Sequence, residues 1–276
     1  MGASGRVGSL LLQHWRSAPP IIPLRTQSRG ERFDLKWSPI IDGPDPLCRF
    51  ADRQGGLSGI IALSGATPST RGNLSETALL ADAVLSAAVK AGVPRVLFTS
   101  SSAVYALGEN LSESDEPAPT SDYGQAKVDM ESVVAQSAGT TLDACCLRIG
   151  NVAGADALLG RKSNTPVLLD RFPDGHGPRR SYIGPIQLAK VLERLMLHPA
   201  RLPLVLNVAA EPPVRMSDLL QAAGLPWEWV PAPEERLKTQ SITLDCTGLA
   251  KITGKASLAA SPASMIAELR KLGALA

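Results

Sequence analysis

The sequence predicts an α/β protein built on a doubly wound parallel sheet. Apolar segments of strand length alternate along the chain with segments whose apolar residues recur at helical spacing. Three glycines, Gly2, Gly5 and Gly8, precede the first helical segment with the spacing of a dinucleotide-binding turn. A chain of 276 residues can form one large α/β unit, or a nucleotide-binding domain with a smaller companion.

Each element follows from a local pattern in the sequence. The predicted elements, in chain order, are a helix over 9–15, strands over 21–24 and 59–63, a helix over 73–91, a strand over 95–99, a helix capped by residue 121 or 122, strands over 141–149 and 204–208, and a closing helix over 262–272. Gly92 and Pro94 end the helix over 73–91. Residues 106–121 are rich in acids, serine and proline and are expected to form a loop.

Tyr123 and Lys127 are the first candidate site residues. A tyrosine four residues before a lysine shares one helix face with it, so the ammonium is expected to lower the pKa of the phenol. Tyr123 then serves as acid and base near neutral pH. The serines at 100–102 follow the strand over 95–99, and ligands of parallel sheets bind beyond the carboxyl ends of strands. Together these residues predict a hydride-transfer site. A tyrosine four residues before a lysine, taken alone, more often only packs against the aliphatic part of the lysine side chain.

The glycine turn is expected to hold the pyrophosphate of a nicotinamide cofactor at a helix N-terminus. An NAD site of this kind usually has an acid near the end of its second strand, and residues 24–29 contain none. Arg25 and Arg29 could face the 2′-phosphate of NADP, and the alternative is that both are solvent-exposed. The missing acid and these two arginines slightly favour NADP over NAD. The residues expected to bind the cofactor are Gly2, Gly5, Arg6, Val7, Gly8, Arg25, Arg29, Leu63, Gly65, Tyr123 and Lys127.

Composition narrows the classes of function. The net charge is +2 with charges of both signs interspersed, which gives no reason to expect nucleic acid or anionic lipid as a partner. The four cysteines have no C-x-x-C spacing and the three histidines lie far apart, so no metal site is expected. No apolar run reaches membrane-spanning length, and we expect a cytoplasmic protein.

Several segments together carry a resemblance to a known family. These segments are Gly2-Ala-Ser-Gly-Arg-Val-Gly8, Phe98-Thr-Ser-Ser-Ser-Ala-Val-Tyr105, Glu116-Pro117 ahead of Tyr123-Gly-Gln-Ala-Lys127, Glu131, Leu147-Arg-Ile-Gly-Asn151, and Gly177-Pro-Arg-Arg-Ser-Tyr-Ile183. In this order they resemble the NAD-dependent epimerase/dehydratase family of extended short-chain dehydrogenases/reductases. The resemblance implies a Rossmann-like, dinucleotide-binding domain over 1–150. It also implies a small substrate-binding part over 151–276, interleaved with late elements of the sheet.

The same resemblance implies roles for particular residues. It selects Ser101 as the catalytic serine beside Tyr123 and Lys127, with Ser101 also contacting substrate. Gly150 is then expected to border the cofactor and Asn151 the substrate. Arg180 matches the arginine that holds the diphosphate of a nucleotide sugar, a task that suits a bidentate guanidinium.

The same resemblance restricts the type of reaction that we expect. Family dehydratases carry an Asp-Glu pair directly after the catalytic residue, whereas Ser102 and Ala103 stand there in this chain. We therefore expect reversible oxidation of a secondary alcohol of a nucleotide sugar or similar substrate, without net dehydration. A carbonyl reductase of a small ketone and a non-catalytic dinucleotide-binding sensor are the alternatives. A homodimer through the helices over 73–91 and 122–138 is implied by resemblance alone.

One departure from the family concerns the first strand. An apolar strand should precede the glycine turn, but Met1 stands directly before Gly2. That strand lies centrally, between the strands predicted near residues 21 and 60, so its absence is expected to leave unpaired backbone groups on two neighbours. We expect the true start to lie upstream; a damaged domain is the alternative.

Overall fold

The structure, a computed structural model, describes residues 1–65, 73–137, 141–161, 165–254 and 258–275. The chain folds into two compact units. The first unit comprises Met1–Ala106, Glu116–Arg148 and Leu192–Leu206, and the second comprises Leu107–Asp115, Ile149–Val191 and Asn207–Ala276. Each unit is therefore assembled from separate stretches of the chain.

The elements are numbered in chain order. The helices of the described residues are α1 (Arg6–Ser17), α2 (Pro39–Asp42), α3 (Asp45–Gln54), α4 (Glu76–Lys90), α5 (Asp122–Gln136), α6 (Pro185–Leu197), α7 (Met216–Ala223), α8 (Thr247–Thr253) and α9 (Pro262–Lys271). The strands are β1 (Gln27–Ser28), β2 (Leu35–Lys36), β3 (Ile60–Ala62), β4 (Arg95–Ser101), β5 (Asp143–Ile149), β6 (Asn151–Val152), β7 (Val167–Arg171), β8 (Arg179–Arg180), β9 (Tyr182–Ile183), β10 (Val205–Val208), β11 (Val214–Arg215), β12 (Trp227–Pro231) and β13 (Ser241–Ile242).

The largest sheet contains four strands in the order β10-β5-β4-β3. Strands β3 and β4 are parallel, with Ile60 opposite Val96 and Ala62 opposite Phe98. Helices α4 and α5 connect β3 to β4 and β4 to β5, as crossovers between neighbouring strands. The predicted alternation is confirmed for β3, β4, β5 and β10 and for helices α1, α4, α5 and α9, with bounds that differ by a few residues.

The strand predicted over 21–24 is wrong. These residues form no strand, and the side chain of Ile21 is 88% exposed. The strand at this point of the chain is β1, which is two residues long and pairs in parallel with β2. Pro23 lacks the N–H that a sheet ladder needs, which explains why the apolar run stays outside the sheet.

The core of the first unit lies where α4 and α5 pack together on the sheet. Val84, Ala88 and Val134 are buried there, together with apolar residues of β3, β4 and β5. Ser121 is the N-cap of helix α5, because its hydroxyl accepts a hydrogen bond from the Gly124 N–H at 3.1 Å. Of the two predicted caps, Ser121 is therefore the one used, and it fixes the turn of helix that carries Tyr123.

The first three residues lie in the position where the sequence predicted unpaired backbone groups on two neighbouring segments. The Met1 amino group donates to the Ile61 carbonyl at 2.6 Å, and the Leu63 N–H donates to the Met1 carbonyl at 3.2 Å. On the other side, the Ala3 N–H donates to the Gln27 carbonyl at 3.1 Å. The open position between the two neighbours is therefore partly bridged by Met1 to Ala3.

The second unit contains smaller sheets. Strand β8 lies between β11 and β13, β7 pairs in parallel with β12, and β6 pairs in parallel with β9. The side-chain amide of Asn207 donates to the Leu111 and Asp245 carbonyls, which ties the 107–115 stretch into this unit. Helix α9 starts with a reciprocal capping box between Ser261 and Ser264. Among the described residues, no helix combines the length and apolar character needed to cross a bilayer.

Candidate active site

The glycine turn at the N-terminus is tight enough to exclude side chains. Gly2 has φ of +73°, and a Cβ on it would lie 2.7 Å from the Ser64 nitrogen. A Cβ on Gly8 would lie 2.5 Å from the Gly2 carbonyl oxygen. Gly5 is the N-cap residue of α1, and Arg6 and Val7 form the first turn of that helix. The turn therefore brings backbone directly against the end of β3.

This turn has the features of an anion cradle. Helix α1 is 12 residues long and has no acidic residue in its first turn, so its N-terminal dipole is not neutralised by its own side chains. The hydroxyl oxygen of Ser64 is buried beside Gly2 and has no hydrogen-bond partner among the described residues. A dinucleotide pyrophosphate fits both observations, because it accepts from helix N–H groups and from a hydroxyl.

Gly65 places the end of β3 next to α5. A Cβ on Gly65 would lie 3.5 Å from the Nζ of Lys127. Leu63 is half-buried, and its N–H donates to the Met1 carbonyl. Residues 66–72, which follow Gly65, lie outside the described residues. The glycine turn, Leu63, Gly65 and Lys127 thus line one edge of the first unit.

The structure brings Ser101, Tyr123 and Lys127 together. Ser101 is the last residue of β4, and Tyr123 and Lys127 lie one turn apart on α5. The Ser101 side chain lies close enough to the Tyr123 phenol to affect its pKa. The Lys127 Nζ lies 5.9 Å from the centroid of the Tyr123 ring and donates to the Thr99 carbonyl at 2.7 Å. These contacts place a hydroxyl, a phenol and an ammonium at the carboxyl end of β4.

The electrostatics of this cluster differ from the prediction. Burial raises the pKa of the Tyr123 phenol, and the hydrogen bond with Ser101 opposes that increase. Burial also lowers the pKa of Lys127 to about 8, against the opposing charges of Cys146 and Glu131. The expected net lowering of the tyrosine pKa is therefore wrong for the isolated chain. Desolvation outweighs the ammonium, whose nearest hydrogen-bond partner is the Thr99 carbonyl rather than the phenol oxygen.

A buried polar network lies behind the cluster. The Ser100 hydroxyl donates to Glu131 at 2.5 Å, and Glu131 forms an ion pair with Arg148 at 2.7 Å. Arg148 also donates to the Tyr105 hydroxyl at 2.9 Å. Sequence reasoning did not assign a role to Ser100 or Arg148. The available signals were the spacing of Lys127 and Glu131 on one face of α5 and the presence of Glu131 and Arg148 in the motifs that carry the family resemblance.

The two arginines predicted to select the cofactor occupy different places. Arg25 precedes β1, and its guanidinium donates to the Gln54 side chain at 2.6 Å and to the Leu24 carbonyl. Arg29 directly follows β1 and is exposed. The Ser4 and Ser28 hydroxyls lie 3.1 Å apart at this end of β1, which sequence reasoning missed. Arg29 and the two serines stand at the carboxyl end of that strand.

Gly150, Asn151 and Arg180 belong to the second unit. A Cβ on Gly150 would lie 2.5 Å from the Ser181 carbonyl oxygen, and the Asn151 N–H donates to the same oxygen. Arg180 is half-buried and donates to the Arg179 and Gln240 carbonyls. Burial lowers the pKa of Arg180, while Tyr182 and Asp170 oppose the shift. The ion pairs found among the described residues include none with Arg180.

Fold and site together define the first unit as a Rossmann-like domain of the short-chain dehydrogenase/reductase type. The model of the NAD dependent epimerase/dehydratase family matches residues 1–176. The chain belongs to this family, as the sequence motifs predicted. No match was found among curated protein sequences.

Solved structures agree with this fold. A short-chain dehydrogenase/reductase superfamily protein from Agrobacterium tumefaciens, with bound NAD, is 17% identical, with a TM-score of 0.75 over 99% of this chain and 95% of that chain. A UDP-glucose-4-epimerase from Stenotrophomonas maltophila, with NAD and formylated UDP-arabinopyranose, is 17% identical, with a TM-score of 0.74 over 98% and 96%. MoeE5, in complex with UDP-glucuronic acid and NAD, is 23% identical, with a TM-score of 0.71 over 98% and 97%. The predicted Rossmann-like fold is confirmed.

Proposed function

We propose that this protein is an enzyme that reversibly oxidises a secondary alcohol of a nucleotide sugar, using a nicotinamide dinucleotide. The observation that carries the proposal is the cluster of Ser101, Tyr123 and Lys127 at the carboxyl end of β4. Gly65 joins this cluster to the glycine turn, because a Cβ on it would lie 3.5 Å from the Nζ of Lys127. A redox cofactor on the turn and a proton-transfer group on α5 are the two parts that such a reaction needs.

Each residue of the cluster has a chemical task. Tyr123, as phenolate, takes the hydroxyl proton of the substrate, and returns it in the reverse direction. Ser101 donates to the substrate oxygen as it becomes a carbonyl. Lys127, when charged, stabilises the phenolate. The nicotinamide, when bound, accepts the hydride and can return it.

The cofactor assignment rests on the turn and on the solved relatives. Ser64, Gly2 and the N-terminus of α1 suit the pyrophosphate of either NAD or NADP. The family's name and the NAD in related structures support NAD. Arg29, exposed at the end of β1, supports acceptance of a 2′-phosphate as well. Arg25 is not part of this proposal, because it lies before the strand and binds Gln54.

The substrate class rests on relatives and on the second unit. UDP-sugars occupy the related epimerase and MoeE5. Arg180 supports a diphosphate, because among the described residues the acceptors of its half-buried guanidinium are backbone carbonyls and not carboxylates. Gly150 and Asn151 are proposed to border the nicotinamide and the sugar. The predicted homodimer stays a prediction.

The outcome of the reaction depends on the fate of the keto intermediate. If it turns over and takes the hydride back on its other face, the enzyme is an epimerase; if it leaves, the enzyme is a dehydrogenase or reductase. Ser102 and Ala103 provide no acid after Ser101, which favours both outcomes over dehydration. TunA, an NAD-dependent NDP-hexosamine 5,6-dehydratase, is also structurally similar, so the expectation against dehydration stays a prediction.

The proposal is tested with UDP- and GDP-sugars deuterated at each carbinol carbon, incubated with NAD or NADP. We expect deuterium transfer to the nicotinamide or an epimeric product, measured by NMR. Tyr123→Phe should lower turnover about 10³-fold, within the range for removal of a general acid-base group. Ser101→Ala should reduce turnover strongly, while the matched control Ser102→Ala should retain it. Cofactor binding without transfer to any sugar would instead support a non-catalytic sensor.

A further inference from the structure

The residue that follows Tyr123 has no room for a side chain. Gly124 is buried in the first turn of α5, and its φ is not positive, so its backbone conformation does not require a glycine. A Cβ on Gly124 would overlap with the Ala103 carbonyl oxygen and would lie 2.8 Å from the Pro119 Cβ. The need for space therefore explains the glycine.

The atoms that such a Cβ would meet cannot turn aside. One is a backbone carbonyl of the 3₁₀ turn Ser102–Val104 (the 102–104 turn), and the other belongs to a proline ring. The Ala118 N–H donates to the Val104 carbonyl at 3.0 Å, which joins the two sides of the contact to each other. A methyl group on Gly124 would therefore have to move α5 away from the turn.

The contact lies between two residues of the candidate site. Ser101 is the N-cap of the 102–104 turn, and Tyr123 directly precedes Gly124 on α5. Because no side chain stands between the helix and the turn, the two backbones approach each other more closely than any other residue at this position would allow. The same contact therefore limits how near the Ser101 hydroxyl lies to the Tyr123 phenol.

A shift of α5 would affect the three residues of the cluster unequally. Tyr123 and Lys127 lie on this helix and move together, whereas Ser101 belongs to β4 and stays behind. An ordinary contact would require an added Cβ to lie roughly 1 Å farther from the turn. A misplacement of about 1 Å between groups that act on one substrate costs about 10²-fold in rate.

We propose that Gly124 is a positioning residue that sets the separation between the Ser101 hydroxyl and the Tyr123 phenol. It is buried, and it acts by letting α5 meet the 102–104 turn without an intervening side chain. The inference rests on the proposed function, because the separation affects turnover only if both groups act on one substrate oxygen.

The first test is the turnover of Gly124→Ala with the panel of UDP- and GDP-sugars described above. We expect kcat to fall about 10²-fold. The KM for the dinucleotide should stay unchanged, because the glycine turn takes no part in this contact. The matched control is Gly108→Ala, whose Cβ would meet only the Leu111 side chain, at 3.1 Å, and whose kcat should equal that of the wild type. A wild-type kcat in Gly124→Ala would contradict the proposal.

The second test needs no substrate. Burial raises the pKa of Tyr123, and the Ser101 side chain lowers it. This pKa is measured by ¹⁹F NMR after replacement of the three tyrosines by 3-fluorotyrosine, whose phenol titrates at lower pH. Ser101→Ala and Gly124→Ala should each raise the pKa of Tyr123. The double variant should raise it no further than Ser101→Ala alone, because Gly124 acts through Ser101.

The two tests together separate this inference from the proposed function. If the wild type turns over none of the sugars but the pKa of Tyr123 follows the expected pattern, the proposed function fails and the spacing role of Gly124 stands. An unchanged pKa in Gly124→Ala, or additive changes in the double variant, would overturn the spacing role.

A second variant covers the case in which Gly124→Ala does not fold. Combining it with Pro119→Gly removes one of the two collisions and keeps the one with the Ala103 carbonyl. The combined variant should still show the raised pKa of Tyr123, whereas Pro119→Gly alone should keep the wild-type value. A wild-type pKa in the combined variant would overturn the spacing role as well.

Discussion

Two buried arginine–carboxylate pairs lie at opposite ends of neighbouring strands in the first unit. At the amino ends of β4 and β5, Arg95 pairs with Asp143 at 2.8 Å. At the carboxyl ends, Arg148 of β5 pairs with Glu131 of α5 at 2.7 Å. The side chains of both pairs are at most 12% exposed. We call them the amino-end pair and the carboxyl-end pair.

The amino-end pair caps the C-terminal end of helix α6. Beyond its carboxylate partner, the Arg95 guanidinium binds carbonyl oxygens in and just after the last turn of α6. These acceptors, at 2.7 to 3.1 Å, are the carbonyls of Leu195, Met196, His198 and Ala200. The guanidinium thus satisfies carbonyls that a helix end leaves without partners. Its task is structural, because all of its partners belong to the scaffold.

The carboxyl-end pair supports the candidate site instead. Glu131 accepts from Ser100, the neighbour of Ser101, and lies one helical turn beyond Lys127. The pair therefore fixes the end of β4 against the helix that carries Tyr123. The two pairs have the same chemistry, so their difference comes from position: ligands of parallel sheets bind beyond the carboxyl ends of the strands.

The largest effect is expected for Glu131→Gln. The change leaves the Arg148 guanidinium buried without a counter-charge and should cost about 4 kcal/mol of unfolding free energy, measured by urea denaturation. Because Ser100 loses a charged acceptor, we also expect kcat to fall about tenfold through misplacement of Ser101. A variant that is destabilised but keeps the wild-type kcat would show that this pair is no more functional than the amino-end pair.

Asp143→Asn is the matched change at the amino-end pair. It should cost about 3 kcal/mol in the same denaturation experiment, since Arg95 keeps its carbonyl partners but loses its carboxylate. We expect kcat of the folded fraction to stay at the wild-type value. A fall in kcat comparable to that of Glu131→Gln would remove the distinction between the two ends.

Lys127→Met should change how stability depends on pH. Burial lowers the pKa of Lys127 from 10.5 to about 8, so between these values the unfolded chain binds a proton that the native chain has lost. Stability from this group therefore rises with pH across that window, by roughly 2 kcal/mol between about pH 8 and 9.5. The variant should lose this rise, whereas Lys90→Met, at an exposed lysine of α4, should keep it.

Ser121→Ala should have the smallest effect. Removal of the N-cap of α5 should cost about 1 kcal/mol of unfolding free energy. The matched control is Ser132→Ala, on the exposed face of the same helix, where the hydroxyl only donates back to the Val128 carbonyl. An equal cost for both variants would mean that the start of α5 does not depend on its cap.

Local patterns were sufficient to predict most elements of the first unit and the cluster at the strand end. The period of α4 and the spacing of Tyr123 and Lys127 depend only on residues close in sequence. The strand predicted over 21–24 was wrong because strand formation requires a pairing partner as well as strand propensity. The Ser100–Glu131 and Glu131–Arg148 contacts join residues 31 and 17 positions apart, so spacing did not reveal them. The raised tyrosine pKa depends on burial, which only three-dimensional packing shows.

The Ser101 oxygen also accepts a hydrogen bond from the Ala103 N–H, at 3.1 Å. That bond uses one of the two lone pairs of the hydroxyl oxygen and leaves the other lone pair and the hydrogen for an incoming molecule. The backbone of the 102–104 turn therefore holds the Ser101 side chain in a fixed direction before any ligand arrives, without another side chain being needed for that purpose.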